Sequence, residues 1–276
     1  MAPGRLSGLL AAFLLLLAAE AQAARVDTLA VPSAAMGRAV QVVVAVPEGE
    51  GPFPTVYLLH GHGGDAKNWA RRLDPLGGLG AYADRFGVVL VCPDGTPDAW
   101  YFDSPRDPTV RMETFVATEL PAYVEAHLPV VADRAWRAIT GLSMGGHGAL
   151  YLALRHPERY AAAASMSGGV DLAAFPDRWG KARHLGPYEA DTAAWHARSV
   201  VHLAARADTT SLPTLLVDCG VQDFFLDANR RLHAVLLARS IPHDYVERPG
   251  GHTWAYWTRV LPYHLAFFRD VIEETE

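Results

Sequence analysis

From residue 26 onward the chain alternates between two patterns of apolar and polar positions. Short apolar runs bounded by Gly and Pro, among them "TVYLLHG", "GVVLVCPDG", "RAITGLS", "YAAAASMSG" and "PTLLVDCG", are the first pattern. Between them lie stretches such as "ETFVATELPAYVEAHL", "GHGALYLALRHP" and "LDANRRLHAVLLARS", whose apolar positions follow helical spacing. Near-continuous apolar runs are what strands buried on both faces of a parallel sheet require. The alternation therefore predicts an α/β domain built on a mostly parallel, doubly wound sheet with right-handed crossovers. At the front, "VDTLAVPS" and "RAVQVVVAVP" predict a leading antiparallel hairpin, and "HDYVERPG" predicts a closing strand.

Residues 170–211 break this rhythm, being too long for a simple connection and holding a helical pattern near 192–207. Connections of that length serve as lids or binding loops, or run as plain surface excursions. We read this one as a cap-like insertion over a site.

The first 23 residues obey a different rule. Arg5, the apolar run Leu9–Ala19 and the small-residue "AQA" at 21–23 form the pattern of a cleavable secretory leader. The run falls short of the roughly 20 apolar residues that a membrane span needs. The expectation is a signal peptide over 1–23, then a mature domain over 24–276 that is secreted or periplasmic, without stable membrane insertion. Removing Arg5 and Glu20 with the leader leaves the formal charge at −6, and the chain has no Lys/Arg runs. A nucleic-acid binder would carry a basic patch or stripe, so nucleic acid is not an expected partner.

The candidate chemistry centres on "GLSMGGHGAL" at 141–150, which places Ser143 between a strand and a helix with Gly141 and Gly145 two residues to either side. A serine on such a sharp turn projects from the sheet's carboxyl edge, where ligands bind, and only residues without bulk fit at the flanking positions. The helix that starts at Met144 directs its free N–H groups and positive end toward the same place.

A serine hydroxyl is a weak nucleophile and needs a base, which in turn needs an orienting carboxylate. In strand–turn–helix sites of this kind the chain order is Ser, then Asp or Glu, then His. His60, His62 and His127 precede the serine; His147 and His156 belong to its helix; His184, His196 and His202 fall in the cap. Of the rest, His233 and His264 sit in helical runs and His243 opens a strand. His252, in "ERPGGHTW", follows the last strand at the expected rim and is the predicted general base and acid. In "LLVDCGVQDFFLDANR", Asp218 lies within the strand, Asp227 already in a helix, and Asp223 on the loop between. Asp223 is the chosen carboxylate, with Asp227 as the fallback.

Two backbone donors are needed to hold a developing oxyanion: Met144, next to the nucleophile, and one from the loop after an earlier strand. "LLHGHGGDAKNW" supplies that loop, and His62 N–H is the second predicted donor. No carboxylate or Cys cluster completes a metal site around His60 and His62, and no phosphate-cradling G-x-x-x-x-G-K-[ST] is present.

Together, "LLHGHGG", "WYFDS", "GLSMGGHGAL", "CGVQDFF" and "PGGHTWAYW" resemble, in order and spacing over roughly residues 26–270, the esterase D-like branch of the α/β-hydrolases. That branch includes S-formylglutathione hydrolases, tributyrin and feruloyl esterases and mycolyltransferases. The resemblance implies an α/β-hydrolase fold, a serine nucleophile, no cofactor and a small-molecule ester or thioester substrate. It carries the triad onto Ser143, Asp223 and His252, and the oxyanion donors onto His62 and Met144. The chain departs from the pattern at His62, where the family has a hydrophobic or small residue. Cytosolic S-formylglutathione hydrolases fit poorly with a leader.

The function this implies is that of an exported serine esterase of small to medium esters. A carbohydrate-directed acetyl or feruloyl esterase, an acyltransferase and a non-catalytic binding protein are the other readings. Trp69, Trp100, Tyr101, Trp254 and Trp257 gather near the inferred site, either as a substrate rim or as core. The family's strand order would put Cys92 and Cys219 about four strands, or roughly 19 Å, apart. A disulfide needs Cα atoms within about 7 Å, so two free buried thiols are expected.

Overall fold

The computed structural model describes residues 23–273, so the leader expected over 1–23 lies outside the described residues except for Ala23. Eight strands, β1 Arg25–Ser33, β2 Arg38–Val46, β3 Thr55–Leu59, β4 Val89–Pro93, β5 Arg137–Leu142, β6 Ala162–Met166, β7 Thr214–Gly220 and β8 His243–Arg248, form one sheet in the order β1-β2-β4-β3-β5-β6-β7-β8. β1 and β2 make the expected antiparallel hairpin, in register from Arg25 opposite Val46 to Ser33 opposite Arg38. β2 also runs antiparallel to β4, and every later pairing is parallel.

The helices are α1 Asn68–Leu73, α2 Gly78–Phe86, α3 Met112–Thr114, α4 Leu120–His127, α5 Met144–Arg155, α6 Lys181–Leu185, α7 Thr192–His196, α8 Val200–Ala204, α9 Leu226–Ala238 and α10 Trp254–Glu273. A π-helical turn, Phe115–Glu119, joins α3 to α4 just before Pro121. Proline has no N–H to close the regular ladder, which accounts for the widened turn.

Strand side chains alternate between two cores. Val42, Val44, Tyr57, Leu59, Val89 and Val91 pack on the face covered by α4, α5 and α9. Val43, Ala45, Val56, Leu58, Leu90 and Cys92 pack on the face covered by α1, α2 and α10. Both halves of each period-2 pattern are therefore apolar, which is why the strands read as unbroken runs.

The strand order reverses around β3, since the chain leaves β3 for β4 on one side and later returns to β5 on the other. At such a switch point, the loops leaving the carboxyl ends of β3 and β5 diverge and open a crevice. His62 and Ser143 stand on those two loops.

The long segment between β6 and β7 differs from the expectation in one respect. Instead of a helix over 192–207 it holds two short ones, α7 and α8, broken at Ser199, whose backbone is extended. Ser199 is tied to the start of the segment: its hydroxyl accepts from Leu172 N–H at 3.2 Å and donates to the Val170 carbonyl at 3.3 Å. Those long-range bonds interrupt a locally helical sequence.

Cys92 and Cys219 are free and buried, on β4 and β7, with β3, β5 and β6 between them. No helix among the described residues is long and apolar enough to cross a membrane.

Candidate active site

Ser143 connects β5 to α5 with φ +56° and ψ −115°, a conformation that L-residues avoid. It is held by its surroundings: its N–H donates to Met166 O at 2.9 Å, and its carbonyl accepts from His147 N at 3.0 Å and Gly169 N at 3.2 Å. Strain of this kind persists only where neighbouring structure over-determines it. The flanking glycines are required by contact. A Cβ on Gly141 would stand 2.6 Å from Gly145 C and O, and one on Gly145 would stand 2.5 Å from Leu59 O and 2.6 Å from His60 O.

The loop after β8 brings His252 over this turn. Its Nε2 lies 2.8 Å from Ser143 Oγ, and its Nδ1 lies 2.8 and 3.0 Å from the two carboxylate oxygens of Asp223. With Nδ1–H donating to Asp223, Nε2 is left to accept from the serine hydroxyl. The Asp223 side chain is fully buried and also accepts from Phe225 N–H at 2.8 Å, so it cannot swing away freely. Asp227, the fallback, is exposed in the first turn of α9.

Gln222 joins the two loops: its N–H donates to Gly250 O at 2.9 Å, and its Oε1 accepts from Gly250 N–H at 2.6 Å. Gly220 adds to this closeness, since a Cβ there would meet Gly250 O at 2.3 Å. The residues beside Asp223 and before His252 are thus locked together.

On the opposite side, His60 is buried with both ring nitrogens engaged. Nδ1–H donates to its neighbour's carbonyl, Gly61 O, at 2.8 Å, and Nε2 accepts from Gly95 N–H at 2.8 Å. Burial holds His60 below its ordinary 6.5, which suits a neutral ring that shapes the loop. Further along, Gly63 N–H donates to Pro97 O and Gly64 N–H to Gly61 O. Among the described residues, the His62 and Met144 amides have no such acceptor. The His62 side chain is also held below 6.5 by burial, with Asp98 pulling the other way.

Ser143 and His252 open on a cleft of about 330 Å³, walled by the aromatic pairs Trp254–Trp257 and Trp179–Phe224, with Asn68 and His62 at its polar side. Trp254 and Trp257 stand where the sequence reading put them. Trp100 and Tyr101 do not. They are buried and do not border the cleft. Both adopt positive φ, +54° and +61°, which turns their side chains inward. The Tyr101 ring fills the space that a Cβ on Gly148 would enter, and its hydroxyl donates to His60 O at 3.0 Å. Trp100 N–H donates to Trp179 O at 3.0 Å. These two residues hold the walls of the site from behind. Sequence reasoning missed Trp179, Phe224, Asn68 and Gln222. Phe224 and Gln222 flank Asp223 directly and could have been found from that position.

The sequence model of the Esterase family matches residues 33–268. An acetyl esterase of Caldicellulosiruptor saccharolyticus is 26% identical over 220 residues, 75% of this chain and 80% of that protein. An S-formylglutathione hydrolase of Mus musculus is 30% identical over 202 residues, 66% of this chain and 68% of the relative. The solved structure of a ferulic acid esterase is similar with a TM-score of 0.78 and 28% identity, over 91% of this chain and 99% of that one.

Proposed function

The chain belongs to the Esterase family, and from that premise we propose an exported serine esterase that hydrolyses small to medium carboxylic esters through an acyl-enzyme. The observation that carries this reading is the unbroken line from Asp223 through His252 to Ser143, with contacts of 2.8 Å on each side of the imidazole.

Ser143 Oγ attacks the ester carbonyl while His252 Nε2 takes its proton. The carbonyl oxygen gains negative charge between the His62 and Met144 amides, at the positive end of α5. Asp223 keeps the imidazole in the required tautomer and balances its cation. As the tetrahedral intermediate collapses, the bond to the alcohol breaks and His252 returns the proton to the leaving oxygen. Water then enters, gives its proton to His252 and attacks the acyl-serine. Collapse of the second intermediate releases the acid and restores the hydroxyl.

The test is hydrolysis of p-nitrophenyl acetate and butyrate. Ser143→Ala is expected to cost on the order of 10⁶ in kcat, the scale of losing a serine hydrolase nucleophile. It is also expected to lose labelling by a fluorophosphonate; full activity in that variant would remove the serine from the mechanism. Export rests on the leader pattern of residues 1–23, and a mature protein recovered outside the cytosol with its N-terminus near Ala24 is the expected result. The four aromatic walls favour a second reading, an ester with an aromatic acyl group or a sugar alcohol. Turnover of methyl ferulate or acetylated xylan well above that of p-nitrophenyl acetate would select it.

A further inference from the structure

Lys181 carries its amine into a place where charge is costly. It opens α6 in the segment between β6 and β7, yet only 1% of its surface is exposed. Its Nζ donates to one protein acceptor, Leu172 O at 2.7 Å, and among the described residues it forms no ion pair. Three indole rings surround the amine instead, with Nζ 5.2 Å from Trp100, 5.5 Å from Trp179 and 5.6 Å from Trp195. An ammonium over an indole face is attracted by the ring quadrupole, and more strongly when water is excluded. Burial pulls the amine from 10.5 down to about 7, against Asp171 and Asp177, which pull it up.

The three rings are not equivalent. Trp100 is fixed by its N–H bond to Trp179 O, and Trp195 by a 3.1 Å bond from its N–H to Gly186 O. Trp179 is the one that borders the cleft, and its φ of +59° is a backbone state its neighbours must maintain. Its ring stacks on Phe224 at 5.7 Å and 18°, and the Phe224 ring lies 4.3 Å from that of His252. A line of contacts thus runs from Lys181 through Trp179 and Phe224 to the imidazole.

We propose that Lys181 is a positioning residue: seated among Trp100, Trp179 and Trp195, it holds Trp179 against Phe224 as the wall that limits the size of the ester group beside His252. This rests on the reading of Ser143 and His252 as the reacting pair. Nothing in the arrangement gives Lys181 contact with the reacting atoms. Its effect falls on selectivity, and the chemical step is left alone.

Lys181→Met keeps the apolar stem and removes the amine. The kcat/KM ratio of p-nitrophenyl octanoate to acetate is expected to rise by about tenfold, the lower end of what one methylene is worth in an apolar pocket. The change should come through KM for octanoate, with kcat on acetate within about twofold, a split that simple loss of stability would not produce. Trp179→Ala should shift the ratio the same way, and the double variant no further than Trp179→Ala alone. An unchanged ratio in folded Lys181→Met, or full additivity in the double variant, overturns the proposal. Should Lys181→Met fail to fold, Trp195→Phe decides. It loosens the cage away from the cleft, and it must move the ratio in the same direction or the proposal falls. Because every comparison is a ratio of two esters, it stands apart from the Ser143→Ala test, which asks only whether that serine is the nucleophile.

Discussion

Replacing Gly145 with alanine pits a local gain in helix propensity against one long-range contact. Gly145 lies in the first turn of α5, where alanine is favoured over glycine by about 1 kcal/mol in a helix interior. The new Cβ, however, would meet Leu59 O at 2.5 Å, His60 O at 2.6 Å and Leu59 C at 2.7 Å, all of them backbone atoms. Ordinary contact begins at 3.4 Å, so the end of β3 or the start of α5 has to retreat by about 0.9 Å. Overpacking of this kind costs roughly 1–3 kcal/mol, which leaves a net loss of about 0–2 kcal/mol after the helix gain.

The consequence for catalysis is larger than that for stability. β3 leads into the loop carrying His62 and α5 begins with Met144, so whichever side yields, the separation of the two amides changes. Misplacement by about 1 Å can cost 10²-fold, and loss of one oxyanion donor about 10²–10³-fold. We expect Gly145→Ala to lower kcat on p-nitrophenyl acetate by about 100-fold, to slow fluorophosphonate labelling in parallel, and to move the urea midpoint only slightly. A variant with kcat within about threefold of the parent would refute the link between this contact and the donor geometry.

Three further predictions follow from the same site and core. His62→Ala should keep kcat within about tenfold because the donor is the backbone, whereas His252→Ala should lose on the order of 10⁶, as Ser143→Ala does; equal losses in steady-state assays would contradict the backbone role. Under denaturing, non-reducing conditions the protein should take up two thiol labels, on Cys92 and Cys219, and a mass without added label would show a disulfide that the strand order forbids. Stability should fall as the pH drops below 6.5, because burial holds His147 at about 4 and His264 at about 3 while the unfolded chain takes up protons near 6.5. Their stabilisation is present above 6.5 and is lost toward the folded values. By pH 5 the two together forfeit about 4 kcal/mol, at 1.36 kcal/mol per unit over 1.5 units each, with Asp218, raised by burial, opposing at lower pH. A urea midpoint unchanged between pH 7 and pH 5 would count against it.

Much of this architecture was legible in the chain. The inner strands β3 to β7 were visible as apolar runs because a strand buried on both faces needs no partner to declare itself, whereas β1 and β8, half-exposed at the sheet edges, were read from the hairpin and closing-strand patterns. Ser143 was visible because its glycines are a local demand, and chain order together with the helix, strand or loop placement of each candidate narrowed twelve histidines to His252. Asp223 could be separated from Asp218 and Asp227 by its place just past the end of β7.

What the chain did not show is the direction of the aromatics. Trp100 and Tyr101 could be read as a rim or as core, and turn inward where two consecutive positive-φ residues reverse them beneath α5. Trp179 and Phe224, about 45 residues apart, become one wall through a stacking contact that no local periodicity carries. The break at Ser199, and the burial of Lys181 against Trp100, arise likewise from partners far along the chain. Strand, helix and nucleophile turn were set by side chains within a few positions of one another, whose alternation fixes which faces shed water. Which aromatic ring meets solvent, and which ammonium is enclosed by indoles, depended on close packing among segments that meet only once the sheet has formed.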